Sequence, residues 1–176
     1  DEYRKSVWTP RVLLICAVFF LSSLHYGAEM VSYSPFLKDV LHLSISASAL
    51  YISAGFVIVG LGSYLGSVLL EKRIVHSVER LLAIGFLSSG ICHALMCVHN
   101  VALSFAFRAV HELGDGFIFL AYFHGIARTF HVDRIGGCSS FISLWTALGA
   151  FVFSIAFGVI DQRFGHQWPL IISGVV

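Results

Sequence analysis

Long apolar runs separated by short polar connectors make up nearly the whole of this 176-residue sequence. Each run approaches the roughly 20 residues that a helix needs to cross the hydrocarbon core of a bilayer. We therefore expect an all-α polytopic membrane protein forming a single bundle, with no soluble domain between its spans. The pattern predicts five full membrane-spanning helices and the truncated start of a sixth, at about residues 12–33, 47–70, 81–98, 101–127, 137–160 and 168–176.

The composition points to the same class of protein. The chain is 57% hydrophobic and only 12% charged, whereas soluble domains average about 25% charged residues. A transmembrane β-barrel is disfavoured because its strands give short alternating segments, and these runs are continuous. The net charge of +1 offers no basis for nucleic-acid binding. The lipid bilayer is the expected partner.

The lysines and arginines concentrate in alternate connectors. Eight of the eleven precede the first span or lie between the second and third or the fourth and fifth spans. The opposite side has only Lys38 and Arg163, and Arg108 lies within a span. Because cytoplasmic loops carry an excess of Lys and Arg, we expect a cytoplasmic N-terminus in a plasma or inner membrane.

Small residues are concentrated in the second predicted span. The segment Gly62-Ser-Tyr-Leu-Gly66 has small residues four apart, a spacing that lets two helix backbones approach closely. We interpret this face as a packing surface.

The fourth predicted span contains ionisable residues within an otherwise apolar run. A charged side chain near the bilayer centre costs about 2.5–3.5 kcal/mol on insertion scales, so these groups must be paired, hydrated or used. A polar face also runs along the first span, with members three or four residues apart. The candidate substrate and proton-coupling residues are His25, Glu29, Arg108, His111, Glu112 and Asp115. The candidate cavity-lining residues are Ser22, Tyr26, Tyr33 and Tyr122.

The rise per residue predicts which of these groups face one another. Measured from the cytoplasmic end of each span, His25 lies at about 21 Å and Glu29 at about 27 Å. On the antiparallel fourth span, Glu112 lies at about 22 Å and Arg108 at about 28 Å. We therefore predict that Glu29 faces Arg108 and that His25 faces Glu112.

Several motifs follow one another along the chain. The second span ends in Leu70-Glu-Lys-Arg73, and the third begins with Arg80-Leu-Leu-Ala-Ile-Gly85. In the fourth span a polar residue follows the arginine after three positions, and glycines follow after six and eight. These residues are Arg108, His111, Gly114 and Gly116. Two further motifs follow, in the loop 130–136 and in the segment 158–169. In their content and order, these motifs resemble the N-terminal half of a major facilitator superfamily transporter.

Three features depart from the family pattern. Glu112 and Asp115 occupy positions that are usually small, and the loop after the second span lacks the family's glycine. The fifth span has Ser154 and Ile155 where proton antiporters of the family have a Gly-Pro element.

The resemblance implies a secondary active transporter that works by alternating access, with its first and fourth helices lining a central cavity. We expect proton-coupled movement of a small polar or anionic solute, with no enzymatic activity, cofactor or metal. Glu112 and Asp115 lie one turn apart and would repel each other if both were ionised, so that one of them is a candidate to carry a proton at neutral pH. Because the last run is still apolar at Val176, we expect a second six-helix bundle or a fused soluble domain beyond it.

Two alternatives stay open. The bundle could be the ligand-sensing module of a larger signalling protein, in which binding shifts a conformational equilibrium without moving solute. Alternatively, His111-Glu112-Leu-Gly-Asp115 is similar to the zinc motif of intramembrane metalloproteases. Glu112 would then be the general base, with a third ligand from His25 or His93. Otherwise His93 is interpreted as a packing histidine.

Overall fold

A computed structural model describes residues 2–176 of the chain. These residues are almost entirely helical, and helices occupy all six of the segments predicted from the apolar runs. The helices are α1 (Glu2–Val7), α2 (Pro10–Ser22), α3 (Leu24–Pro35), α4 (Ile45–Glu71), α5 (Val78–Leu95), α6 (Val101–Thr129), α7 (Ile135–Phe164) and α8 (Gln167–Val175).

Polar side chains in the connectors fix where the long helices begin. Thr9, Ser44, Ser77 and Asn100 each accept a hydrogen bond from a backbone N–H in the first turn of the helix that follows. These side chains satisfy donors that a helix N-terminus leaves without an intrahelical partner. The polar residues that separate the apolar runs therefore also cap the helices.

The first predicted span is interrupted at Ser23, between α2 and α3. There the backbone has φ −70° and ψ −2°, and the Ser23 hydroxyl donates a 2.6 Å hydrogen bond to the carbonyl of Phe19. A serine that bonds back to the preceding turn commonly bends a helix. A π-helical segment, Phe36–Val40, follows α3. The span is thus a broken helix rather than the single rod expected from its hydropathy.

Four helical segments of the described chain are long and apolar enough to cross a membrane. They are Pro10–Val40, Ile45–Glu71, Val78–Leu95 and Val132–Phe164. The helical, membrane-embedded class predicted from the sequence is therefore confirmed at this level. With 29 residues α6 has the necessary length, but its charged residues leave it outside this apolar set.

Contacts at the two ends show that the first span, made of α2 and α3, runs in the same direction as α7. At one end, the hydroxyl of Tyr3 donates a 2.9 Å hydrogen bond to the carbonyl of Gly137 at the start of α7. At the other end, Ser32 of α3 donates a 2.6 Å hydrogen bond to Asp161 near the end of α7. The N-terminal segment and the α6–α7 connector therefore lie at the same end of the bundle.

Helix α6 lies between α4 and α5, and glycines bring it close to both. A Cβ added to Gly62 of α4 would stand 2.6 Å from the carbonyl oxygen of Leu113. A Cβ added to Gly85 of α5 would stand 2.9 Å from the carbonyl oxygen of Gly114. The predicted packing face on the second span is thereby confirmed, and α6 is held against both neighbours by direct backbone contact.

Candidate functional site

Arg108 of α6 is the centre of a group of buried charges. Its side chain forms ion pairs with Glu29 of α3 and with Glu112 one turn along α6. A second contact joins Nη2 of Arg108 to Oε2 of Glu29 at 3.3 Å. The guanidinium carbon also lies 4.2 Å from the centre of the Tyr33 ring, within cation–π range. The predicted pairing of Glu29 with Arg108 is confirmed.

The predicted pairing of His25 with Glu112 is wrong, because His25 meets Asp115 instead. Nε2 of His25 lies 3.3 Å from Oδ2 of Asp115. Depth depends only on the rise along each helix, whereas the direction of a side chain around the helix axis also decides which residues meet. Glu112 and Asp115 are three residues apart and so differ by about 60° around an α-helix.

Glu112 faces α4 and Arg108 rather than the first span. A Cβ added to Gly55 of α4 would stand 2.7 Å from Oε1 of Glu112, and the same oxygen is paired with Arg108. The glycine therefore leaves room for the carboxylate between α4 and α6. This position disfavours the metalloprotease interpretation of His111-Glu112-Leu-Gly-Asp115, since the proposed general base is already engaged by a guanidinium.

His111 joins α6 to α5 and α3. Its Nδ1 lies 3.0 Å from the carbonyl oxygen of Ser89 on α5, and its Nε2 lies 3.3 Å from Oε1 of Glu29. The Ser89 hydroxyl donates a 2.6 Å hydrogen bond to Oδ1 of Asp115. Two residues of α5, Ser89 and His93, thus belong to this site. The sequence pattern did not indicate Ser89, and it indicated His93 only as an alternative zinc ligand or a packing histidine.

His93 is fully buried, and its Nδ1 points at two atoms of the site. Oε1 of Glu29 lies at 3.5 Å and Nε2 of His111 at 3.4 Å. Ser89 and His93 are four residues apart on α5, one turn beyond Gly85, so that one helix face carries all three toward α6. That spacing was the available sequence signal. The seven ionisable residues that meet here, named the ion cluster below, are His25, Glu29, His93, Arg108, His111, Glu112 and Asp115.

Two imidazoles of the ion cluster each lie between two hydrogen-bond acceptors. Nδ1 of His25 lies 2.6 Å from the carbonyl oxygen of Ser22, and its Nε2 faces the carboxylate of Asp115. His111 likewise lies between the Ser89 carbonyl and the carboxylate of Glu29. A neutral imidazole has one N–H, whereas the imidazolium has two. Only the doubly protonated form satisfies both contacts of each ring.

Protons on His25 and His111 would neutralise the net charge of the ion cluster. Apart from its histidines, the ion cluster contains three carboxylates and one guanidinium. The carboxylates are those of Glu29, Glu112 and Asp115, and the guanidinium is that of Arg108. With neutral imidazoles they sum to −2 when all are ionised. Protonated His25 and His111 bring this sum to zero. Because unpaired buried charge is costly, the geometry favours two bound protons or an equivalent cation.

Three of the four predicted cavity-lining residues lie next to the ion cluster. The carbonyl of Ser22 accepts the bond from His25, and the ring of Tyr26 lies 3.8 Å from that of His25. Tyr33 lies under the guanidinium of Arg108. Tyr122 lies farther along α6, where its hydroxyl is hydrogen-bonded to Ser143 of α7 at 3.0 Å.

A groove of about 790 Å³ reaches the ion cluster from the side. It runs between α2, α3, α5 and α8, and its apolar wall includes Leu21, Phe86 and Ile91. Its polar lining comes from Ser22, His25, Ser89, His93 and Ser173. Two histidines of the cluster thus line a groove that reaches the surface.

No protein-family model, curated protein or solved structure matches the chain. The function is therefore inferred from the chemistry and geometry of the ion cluster.

Proposed function

We propose that the chain is the N-terminal bundle of a secondary active transporter of the major facilitator type, which couples protons to the movement of a small polar or anionic solute. In this proposal α6, the fourth span in chain order, also crosses the membrane between α4 and α5, which brings the full spans to five, and α8 begins a sixth. A second six-helix bundle completes the transporter, and solute is bound between the two bundles near the bilayer midplane.

The observation that carries the proposal is the placement of His25 and His111 between pairs of acceptors inside the bundle. Each ring lies against a backbone carbonyl on one side and a carboxylate on the other. Two protons are thereby held on the helices that the resemblance assigns to the central cavity. Ionisable groups within membrane helices commonly mark proton relays and substrate pathways.

The arrangement around Arg108 supports a coupling mechanism. The guanidinium is shared by Glu29 and Glu112, and its planar fork also fits a carboxylate or phosphate bidentately. An anionic solute that takes one face of the guanidinium displaces Glu29. That displacement also removes the carboxylate that faces Nε2 of His111. Solute binding at Arg108 and protonation of His111 are thereby linked, because both depend on the position of Glu29.

The distribution of charge supports a cytoplasmic N-terminus in a plasma or inner membrane. The Tyr3–Gly137 contact brings the N-terminal segment and the α6–α7 connector to one end. The lysine and arginine residues favour that end by eight to two, as the positive-inside rule requires of a cytoplasmic face.

Uptake measurements on the full-length protein test the proposal. Proteoliposomes are loaded with buffer and given radiolabelled small mono- and dicarboxylates at acidic and neutral external pH. We expect uptake to be faster at acidic than at neutral external pH. We also expect Glu112→Gln to change this pH dependence. Glu71→Gln is the matched control, because Glu71 is an exposed carboxylate at the end of α4.

Two results would contradict the proposal. Unaltered pH dependence in Glu112→Gln would remove Glu112 from proton coupling. Saturable binding of a carboxylate without any uptake would instead favour the ligand-sensing module.

A further inference from the structure

Three atoms of the ion cluster form a nearly equilateral triangle. Oε1 of Glu29, Nδ1 of His93 and Nε2 of His111 are separated by 3.3, 3.4 and 3.5 Å. Zinc binds nitrogen and oxygen ligands at about 2.0–2.1 Å in tetrahedral sites, which places neighbouring ligand atoms about 3.3–3.4 Å apart. The triangle therefore has the dimensions of one face of a tetrahedral metal site.

The contact between two imidazole nitrogens points to a cation at this triangle. Nδ1 of His93 and Nε2 of His111 face each other and both face a carboxylate oxygen. Three acceptor atoms turned toward one point repel one another unless a proton or a metal ion lies among them. A single proton can be shared along only one or two edges, whereas a metal ion satisfies all three atoms.

His111 is oriented as metal-binding histidines usually are. Its Nδ1 lies 3.0 Å from the carbonyl oxygen of Ser89, which fixes the proton on that nitrogen and leaves the Nε2 lone pair free in the neutral ring. Metal-ligating histidines almost always donate their other N–H to a carbonyl, carboxylate or water. The backbone of α5 supplies that acceptor here.

Within the described part of the chain, the polar side-chain atoms of His93 make no contact that explains a histidine at this position other than those of Nδ1 with Glu29 and His111. The side chain is completely buried, and among the described residues no hydrogen-bond partner reaches its Nε2. Burial of an unpartnered polar group costs about 1–3 kcal/mol in proteins, so an apolar residue would pack better at this position. A ligand role for Nδ1 accounts for a histidine there.

The charge of the ion cluster sets the valence of the ion. With neutral imidazoles the three carboxylates and Arg108 sum to −2. One divalent cation restores neutrality as completely as two protons do. Arg108 stays paired with Glu29 through both terminal nitrogens, since Nη1 donates to Oε1 and Nη2 contacts Oε2 at 3.3 Å. A carboxylate oxygen has two lone pairs, so Oε1 can accept from Nη1 and also bind the ion between His93 and His111.

We propose that Glu29, His93 and His111 bind one divalent transition-metal ion of the zinc class. Two imidazoles and one carboxylate are ligands that suit zinc and its neighbours better than magnesium or calcium. Three protein ligands leave the fourth position for water or another small ligand. This inference concerns binding alone, and its test needs no transport measurement. The ion and the proton that the proposed function places on Nε2 of His111 are alternative occupants of one position. The proposed site replaces the expectation of a protein without a metal site.

A neighbouring set of atoms could take a cation in a different arrangement. His25, His111 and Asp115 also present ligand atoms within 4.8 Å of one another. Because Nδ1 of His111 is bonded to Ser89, both sets depend on the same Nε2. Substitution of His93 therefore separates them, since His93 belongs only to the first set.

Metal titration of the purified full-length protein tests the inference. The protein is stripped with a chelator in detergent and titrated with Zn²⁺ in a calorimeter, and with Co²⁺ as an optical probe of tetrahedral coordination. We expect one bound ion per chain, and loss of that site in both His93→Gln and His111→Gln. His99→Gln is the matched control, because His99 is an exposed histidine four residues from α5.

Helical circular dichroism of each variant establishes that it is folded before it is titrated. X-ray absorption of the Zn²⁺ complex should give ligands at about 2.0–2.1 Å with the scattering of two imidazoles. The inference is overturned if the wild-type protein binds no Zn²⁺ above the level of its detergent buffer. It is equally overturned if folded His93→Gln binds Zn²⁺ as tightly as the wild-type protein.

Discussion

Nε2 of His25 lies 3.3 Å from Oδ2 of Asp115, although the depth of the two helices suggested Glu112 as its partner. Asp115 is also within 3.8 Å of Nε2 of His111 and accepts a hydrogen bond from Ser89. It therefore faces both histidines that lie between acceptors. Glu112 contacts Arg108 and the surface of α4 instead.

This difference predicts unequal effects of the two acids on pH dependence. Asp115→Asn removes a carboxylate that faces two imidazoles, whereas Glu112→Gln removes one that pairs with a guanidinium. We expect the pH profile of uptake to change more in Asp115→Asn than in Glu112→Gln. Both profiles are measured in proteoliposomes against a full pH series. Equal profiles in the two variants would mean that His25 and Asp115 do not act together.

The close contact between α4 and α6 predicts that Gly62→Ala destabilises the bundle. The added methyl group would stand 2.6 Å from the carbonyl oxygen of Leu113 and 3.0 Å from its Cα. The backbone of a helix cannot rotate away as a side chain can, so the two helices must separate. Overpacking of this kind destabilises a protein by about 1–3 kcal/mol. The measurement is thermal unfolding in detergent, followed by loss of helical circular dichroism.

Gly60→Ala is the control for this substitution. Gly60 lies on the same helix, and no described atom comes within 4 Å of its added Cβ. Alanine favours the helix by about 1 kcal/mol relative to glycine, so Gly60→Ala should be neutral or more stable. A Gly62→Ala protein as stable as Gly60→Ala would contradict the assigned packing.

The hydrogen bond between Ser32 and Asp161 predicts a loss of stability in Ser32→Ala. Ser32 is fully buried, and its hydroxyl donates to Oδ1 of Asp161 at 2.6 Å. His166 is a second possible donor to this carboxylate. Loss of one partner of a partly buried charged group costs about 1–3 kcal/mol. Thermal unfolding of Ser32→Ala should therefore occur at a lower temperature than that of Ser34→Ala, whose residue is exposed on the same helix. Identical unfolding temperatures would show that the bond contributes nothing.

Cys97, in the connector after α5, is predicted to resist alkylation. It is 7% exposed, and burial raises the pKa of its thiol to about 12. The thiolate is the reactive form, and at pH 8 a thiol with that pKa is about 1 part in 10⁴ ionised. We expect little modification of Cys97 by iodoacetamide until the protein is unfolded, as measured by peptide mass spectrometry. His99→Cys supplies an exposed thiol in the same connector, and equal labelling at both positions would refute the prediction.

The sequence was sufficient for the helices and for one ion pair. Apolar run lengths predicted the six helical segments, and the rise per residue predicted that Glu29 meets Arg108. The small residues Gly62 and Gly66 predicted a close helix contact. Each of these inferences depends on spacing within a single helix or on the common depth of two helices.

The remaining features depend on how the helices are turned and which of them are neighbours. The partner of His25 depends on the direction of Asp115 around α6, which the rise alone does not give. The spacing of Ser89 and His93 placed both on one face of α5, but only the packing of α5 against α6 shows that this face meets the ion cluster. Gly114 makes that approach possible, because an added Cβ there would stand 2.8 Å from the backbone nitrogen of Ser89. The break at Ser23 follows from one serine hydroxyl bonded to the preceding turn.

That break divides the first span into two parts with different tasks. Both cluster residues of the span, His25 and Glu29, belong to α3. Both parts pack on α7, where Phe20 of α2 contacts Gly149 and Gly27 of α3 contacts Phe153. Because Ser32 of α3 is hydrogen-bonded to Asp161 of α7, a movement of α3 away from α6 would carry α7 with it. That movement would separate His25 from Asp115 and Glu29 from Arg108 at the same time. Helix α6, which glycines bring into backbone contact with α4 and α5, would stay in place during that movement.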